Sequence, residues 1–546
     1  MAARKPYSGA RALVFGIDVG TTYSGLSYSI LEPGQVPVIR PITRFPGQQD
    51  VGGDSKVPTS IYYDRDGIIR AEGADTTLAA SMEKADDEGW QHAHWFKLHL
   101  RPPVVDGTTD IPPLPYRKTA VNVFGDFLRY LFDRFVIAHP NGWEGKQQSQ
   151  MREAAVMAGL IPESDAGERL RFVTEGEASL HFCIQNGLAT EAINSGKGVV
   201  VVDAGGGTID LSTYRLVTKS NGHKEYEEIA PPHCLFQGSI YVTQRARDYV
   251  EVLLRNSKYA ADVDYIAQAF DTSAKLSFRG EEFAFIKFGT NRDQDPSVNI
   301  RNGQLKIPGS DVKKLFEPSI AAVVNAVRQQ CISAYSVTQV SSVFLVGGFA
   351  ANDWLFSEIK SRLQPLKLDV TRPDAHLNKA VADGAVSFYV DHYVSVRVAR
   401  FTYGMQISEP YNPNNVEHAT RTILKRGIQV CETKEFRESY TRHNADPTGL
   451  DRFSTELYAY RGRGDPQWLD VDPDLYQVVC TIQADTSRLT KYPNYRRGAS
   501  ASIVPNSMFY ELKFDVVLSF GLTELKAQIA WMENASHFIF IFSPLF

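Results

Sequence analysis

The sequence predicts an α/β protein with two copies of one strand–turn–strand device facing a shared cleft, followed by a β-rich C-terminal region. Three observations carry this. The segments around Asp18 and Asp203 repeat one pattern, an apolar strand ending in Asp, then glycine, then threonine. A third apolar strand, Val343–Val346, ends in Gly347-Gly348 and runs into a helical pattern. Beyond residue 400 the chain changes to strict apolar–polar alternation, the period of a half-buried strand.

The first device reads Phe15-Gly-Ile-Asp18-Val-Gly20-Thr21-Thr22-Tyr23-Ser24-Gly25, and the second Val201-Val-Asp203-Ala-Gly205-Gly206-Gly207-Thr208-Ile-Asp210. In each, glycines let the backbone approach a ligand closely. Consecutive N–H groups in such a turn form a nest for anions such as polyphosphate. The leading Asp would repel phosphate, so its sensible task is to hold a cation. Magnesium through water fits best, because that ion keeps much of its hydration shell. One glycine hairpin can be a mere turn. Two copies with Asp, Gly and Thr in the same order argue for an internal duplication.

Between the two devices lie a Pro/Gly-rich loop (Pro41, Pro46, Gly47, Gly52, Gly53, Pro58) and a short strand, Ser60–Tyr63. Phe124, Leu128, Leu131, Phe132 and Phe135 then recur at helical spacing, predicting a long helix within 119–138. Helix resumes over Met151–Leu160, and helical patterns dominate 240–278 and 311–334. After Gly347-Gly348, Asn352 or Asp353 caps a helix whose buried stripe is Leu355, Ile359 and Leu363. Paired glycines at that junction allow a flat ring to lie against the backbone.

In the C-terminal region Tyr510, Leu512, Phe514, Val516, Leu518 and Phe520 fall on one strand face, and Glu511, Lys513 and Asp515 on the other. Ala527, Ile529 and Trp531 mark a second strand. The apolar end, Phe538–Phe546, reads as a docked edge strand, a partner-binding tail or a gene-prediction artefact. The predicted boundaries are 1–195 and 196–370 for the two halves, 371–400 for a return helix and linker, and 401–546 for the β-rich region.

With 546 residues, several lobes are expected. A net charge of −5 gives no electrostatic reason to expect nucleic-acid or membrane-surface binding. Five cysteines without metal-ligand spacing suit reduced, buried thiols rather than a disulfide framework. No apolar stretch has the length of a membrane span. The expected location is cytoplasmic, with the nucleus as an alternative.

The order of these motifs is similar to the actin/sugar-kinase/heat-shock-70 superfamily. Their wording resembles the heat-shock-70 family, and more narrowly its divergent heat shock 70 kDa protein 12 type, from about residue 12 to 405. The resemblance implies an actin-like ATPase fold of two duplicated lobes around a nucleotide cleft. It implies ATP or ADP with Mg²⁺ as ligands. It would place Asp18, Thr21, Thr22, Tyr23 and Gly20 at the β/γ-phosphates and the metal's water shell, and Lys97 at the γ-phosphate as a catalytic lysine. Glu175 would touch the metal shell, with Glu177 two positions on as the other acid that could do so. Asp203 would hold magnesium water and orient the attacking water. Gly205, Gly206, Gly207 and Thr208 would cradle phosphate, Gly238 and Lys275 would serve the nucleotide, and Gly347 and Gly348 would flank base and ribose. Asp18, Lys97, Glu175, Asp203 and Thr208 are thus the candidate catalytic residues, and Asp18, Glu175 and Asp203 the metal-shell acids.

The chain also departs from that pattern. Gln148 stands where the family has an arginine eight residues after a proline, here Pro140, and the arginine that stacks on adenine is replaced near Leu276. The hydrophobic interdomain linker is replaced by Val394-Ser-Val-Arg397-Val-Ala-Arg400. Three functions follow. The first is a slow Mg-dependent ATPase whose cleft state switches binding of a client or partner protein. The second is a non-hydrolysing ATP-binding scaffold, and the third a small-molecule kinase.

Overall fold

The computed structural model describes residues 4–43, 45, 56–101, 111–131, 136–141, 143, 145–188, 196–220, 224–373, 379–406, 420–431, 434–462, 472–487, 489, 491–495, 508–521, 524–533 and 537–542. The chain is a mixed α/β protein that divides into two compact units, one of Met1–Gly142 with Gln150–Val394, the other of Trp143–Ser149 with Ser395–Phe546.

Two sheets organise the first unit, and they repeat one topology. In the first sheet, Ala12–Asp18 pairs antiparallel with Tyr23–Leu31 on one side and parallel with Val136–His139 on the other, and Arg171–Thr174 continues in parallel beyond that. In the second, Gly198–Ala204 pairs antiparallel with Ile209–Thr218 and parallel with Val340–Val346, followed by Asp369–Thr371. Lys224–Leu235 extends the second hairpin as Arg40–Pro41 extends the first. The central strands are buried along nearly their whole length, which explains why they read as unbroken apolar runs rather than alternating ones.

The structure corrects the long helix expected within 119–138. The helix is Ala120–Leu131, burying Phe124, Phe127 and Leu128, and the chain then forms the strand Val136–His139. Phe132 and Phe135 lie outside the described residues, as do Pro46, Gly47, Gly52 and Gly53 of the early loop. The apolar run continues past Leu131, and sequence alone does not separate an apolar helix face from an apolar strand there. The slot beside Ala12–Asp18 and the β-branched pair Val136-Ile137 decide for strand.

The later helices follow the sequence closely. Gly309–Ala334 buries Val312, Phe316, Ile320, Val323 and Val327. Asp353–Leu363 buries Leu355, Ile359 and Leu363, the predicted stripe. Its cap is Asn352, whose side-chain oxygen accepts from the Leu355 N–H at 2.8 Å while its amide nitrogen donates to Lys275 O at 2.8 Å. Loss of a cap costs about 1 kcal/mol, and stranding a buried carbonyl adds about as much again. Asn352→Ala is therefore expected to destabilise the first unit by about 2 kcal/mol in urea unfolding.

The second unit is built of antiparallel strands. One sheet runs Thr420–Leu424, Thr402–Gln406, Arg452–Tyr460, Tyr476–Asp485. The other runs Glu435–Asn444, Met508–Gly521, Glu524–Glu533, His537–Phe542, with Tyr492–Tyr495 also on the long strand. They share a core that includes Tyr403, Leu457, Ile482, Val516, Leu518, Ile529 and Trp531. Leu512, Phe514, Val516 and Leu518 face that core as the alternation predicted, and Val517 is buried on the opposite face. The apolar stretch near the C-terminus forms a paired edge strand, with Phe540 in register with Ala530. Among the described residues no helix is long and apolar enough to cross a membrane.

Candidate nucleotide and metal site

Both hairpins end at one cavity of about 480 Å³ in the first unit. Asp18, Gly20, Thr21, Thr22, Tyr23, Lys97, Glu175, Asp203, Gly205, Gly206, Gly207, Thr208, Gly347 and Gly348 all line it. Each strand delivers its Asp at or next to its last paired position, Asp18 opposite Gly25 and Asp203 opposite Asp210, one pair before Ala204 and Ile209. The two tips abut. A side chain on Gly206 or Gly207 would overlap the hydroxyls of Thr22 or Thr21, so only glycine lets the hairpins meet.

The second hairpin has its carbonyls tied down from behind. Gly205 O accepts from Ser239 N–H at 3.1 Å, Gly206 O from Ile240 N–H at 2.9 Å and Gly207 O from Gly238 N–H at 3.3 Å. These donors are at the start of the helix Ser239–Leu254. In a trans peptide the C=O and the following N–H point in opposite directions. The N–H groups of Gly206, Gly207 and Thr208 are therefore turned away from that helix, the arrangement of an anion nest. Gly238 is thus a support of the loop, and a side chain on it would strike the backbone of Gly206 and Gly207. Lys275 likewise stands behind the loop. Its ammonium donates to Ser239 Oγ at 2.7 Å and pairs with Asp271. Neither residue is among those lining the cavity.

Lys97 arrives on the turn Phe96–Leu100, set up by Trp95 in the left-handed region at φ 54°. Phe96 packs on Phe124 and Phe127, and Leu98 on Ile240 and Tyr241, so the turn is anchored on both sides. The Lys97 ammonium, 3% exposed, donates to Glu175 Oε1 at 2.7 Å. Glu175 opens the helix Glu175–Gln185, capped by Thr174, whose hydroxyl accepts from the Glu177 N–H at 3.2 Å. Of the two candidate acids, Glu175 lines the cavity. One turn further on, Ser179 donates to Asp203 Oδ2 at 2.7 Å, so one face of this helix serves both acids. Gly347, at φ 92°, sits against the other oxygen of Asp203, where a side chain would collide with it.

Two further residues join the cluster. Lys56 donates to Asp18 Oδ2 at 2.6 Å and lines the cavity. Buried Asp210 accepts from the Asn141 backbone N–H at 2.6 Å. The Asp210 position closed the second motif and so was visible in the sequence. Lys56 lies in the Pro/Gly-rich loop just before Pro58, where no motif marks it. Leu276, Ala351, Pro373 and Val381 add apolar lining.

Four buried carboxylates, Asp18, Glu175, Asp203 and Asp210, thus gather with two lysines, Lys56 and Lys97. The imbalance shows in their ionisation. Burial, and next the Glu175 charge, push Asp203 up to about 7, and the same two causes raise Asp210 well above the usual carboxylate range. Burial also raises Glu175. For Lys97 burial works downward, but Glu175, Asp18 and Asp210 together raise it. A site of oxygen donors short of positive charge fits a hydrated divalent cation. Among the described residues no three acidic, histidine or cysteine side chains converge as a direct ligand set.

His139, at the end of its strand, is 1% exposed, and burial lowers its pKa to about 4. The unfolded chain takes up that proton near pH ~6.5, so falling pH favours unfolding below that value and the stabilisation is complete above it. The stability gap between wild type and His139→Gln is expected to narrow by about 2 kcal/mol from about pH 7.5 to about pH 5, read from urea midpoints.

The cleft is thus built from two Asp–Gly–Thr hairpins and a Gly-Gly junction. No family model matches the chain. It is similar to Heat shock 70 kDa protein 12A of Mus musculus, 22% identical over an alignment of 528 residues that covers 77% of this chain and 75% of the relative. It is also similar to Heat shock 70 kDa protein 12B of Homo sapiens, 23% identical over 537 residues and covering 78% and 76%. Human Heat shock 70 kDa protein 12A matches at 22% over 528 residues. These likenesses support a relationship to the heat shock 70 kDa protein 12 type.

Proposed function

We propose that the chain is a slow Mg-dependent ATPase of heat-shock-70 type, whose cleft state switches binding of a partner or client protein. Its two lobes would be residues 1–195 and 196–370, with 371–400 returning to the first lobe and 401–546 as the responding β-rich region. The observation that carries this reading is the meeting of both hairpins, the Lys97–Glu175 pair and Asp203 at one cavity. The similarity to Heat shock 70 kDa proteins 12A and 12B supports a heat-shock-70-like protein, and it spans most of both chains.

Bound magnesium would supply charge neutralisation at the β- and γ-phosphate oxygens. Asp18, Glu175 and Asp203 would hold its water shell. The N–H groups of Gly206, Gly207 and Thr208 would grip phosphate oxygens, and Lys97 would offset charge growing on the γ-phosphoryl group. Asp203, held by Ser179 and with its pKa raised to about 7 by burial, would orient a water molecule and take its proton. The water oxygen bonds to phosphorus as the bond to the bridging oxygen breaks, and ADP leaves with that electron pair.

The test is single-turnover ATP hydrolysis with magnesium, beside EDTA and Lys97→Ala. Turnover lost in both controls supports the ATPase. Tight binding without turnover selects the scaffold, the reading favoured by Gln148 and the altered 394–400 segment. Absence of ATP binding overturns the whole proposal.

A further inference from the structure

Lys56 belongs to none of the motifs, yet it occupies the most consequential oxygen in the cleft. Its ammonium lies 2.6 Å from Asp18 Oδ2, with the side chains only 16% and 6% exposed. Lys97, the other lysine, is held deeper by Glu175. Lys56 lies just ahead of Val57-Pro58, and that short strand pairs antiparallel with Tyr23 and Ser24 of the first hairpin. Its backbone is therefore fixed to the phosphate-facing tip of the chain. The Thr59 N–H donates to Thr22 O at 2.8 Å, a second tie to the same tip. Only the four-carbon stem is left to move the charge.

A lysine head on such a stem is a compact point charge that can change partners by rotation alone. Asp18 would otherwise be a buried carboxylate among three others, an arrangement costly without a cation. A hydrated divalent ion held at Asp18 competes for the oxygen that Lys56 now occupies. A terminal phosphate offers the displaced ammonium a new partner within the same cavity.

We infer that Lys56 is a tethered counter-ion of the phosphate site. It neutralises Asp18 when the cleft is empty and moves to the terminal phosphate when a nucleotide and its metal enter. Resting on the nucleotide reading above, this predicts that the protein binds nucleoside triphosphate appreciably even without divalent metal, because one positive charge is built in.

The experiment is calorimetric titration of the full chain with ATP, in magnesium and in EDTA, for wild type, Lys56→Met and Lys56→Arg. A charge-assisted contact is worth about tenfold in affinity or more. In EDTA the Met variant is expected to lose about tenfold or more relative to wild type. It should lose less than about threefold in magnesium, where the ion covers most of the charge. The Arg variant should stay near wild type in both. Urea midpoints of the three proteins separate a folding defect from a lost contact, and an EDTA-specific loss in a stably folded Met variant supports the inference. Equal affinities of wild type and Met variant in EDTA overturn it and leave the nucleotide reading standing. An equal loss in both buffers overturns the exchange with metal. A wild type that binds no ATP in either buffer overturns the nucleotide reading itself, and the role of Lys56 with it.

Discussion

Lys97→Ala is expected to slow single-turnover ATP hydrolysis by about a hundredfold to a thousandfold while leaving ATP affinity within a few-fold, the magnitude typical of removing one charge aimed at the transition state. The lysine is fully enclosed and its ammonium is committed to Glu175 at 2.7 Å, so it contributes charge to the cavity rather than to bulk solvent. Its removal also leaves Glu175 without its counter-ion among three other carboxylates. Glu175 would then take up a proton and cease to serve a metal's water shell. Asp203→Asn should fall by a similar factor in rate, because Ser179 and Gly347 fix that carboxylate on both sides and an amide in the same place cannot accept a proton. Asp18→Asn should instead weaken magnesium-dependent nucleotide affinity. Cys331→Ser, far from this chemistry in the helix Gly309–Ala334, should change neither rate nor affinity. Wild-type turnover in the Lys97 variant would remove that residue from the mechanism. Wild-type behaviour of both Asp variants would put the metal elsewhere.

Which parts of this site were readable in the sequence follows from how local their signals are. The hairpins announce themselves because each needs an apolar strand, an Asp and glycines within about ten consecutive residues. The stripe Leu355, Ile359, Leu363 and the alternation from Tyr510 to Phe520 are readable for the same reason, since a helix or strand face repeats at a fixed short period. What stayed hidden is contact across the fold. Lys56 reaches Asp18, Ser179 reaches Asp203, and Asn141 reaches Asp210 and, through its side chain, Leu211 O and Ser212 Oγ. None of these pairs has a spacing rule, because their separation depends on which strands become neighbours. The strand Val136–His139 was lost to an apolar run that suits helix and buried strand alike. The Gly238 N–H reaches Gly207 O and the Lys275 ammonium reaches Ser239 Oγ, again contacts that no sequence spacing announces.

Gly384→Ala is expected to destabilise the first unit by about 3 kcal/mol, although helix propensity alone would make the change favourable by about 1 kcal/mol. Gly384 lies within the helix Ala380–Asp391, which packs against the helix Glu175–Gln185 and the strand Ala12–Asp18. A methyl group there would fall on the backbone oxygen of Ala178, far inside any real contact. Backbone of a neighbouring helix cannot rotate aside as a flexible side chain can, so the two helices must separate. Gly16, on the strand side, meets Ala382 O in the same close fashion, so the Gly384 helix has little room to retreat. The helix that would have to shift carries Glu175 and Ser179, and with them the Lys97 pair and the hydrogen bond to Asp203. Nucleotide affinity should therefore fall together with stability. Gly167→Ala supplies the opposite sign. That glycine is exposed, in the short helix Ala166–Arg169, with no atom near its absent side chain, so propensity acts alone and stability should rise slightly. Urea unfolding of the two variants decides the matter. A neutral Gly384→Ala would mean that the helices do not meet backbone to backbone at Ala178, and that Glu175 is held in the cleft by something other than this wedge.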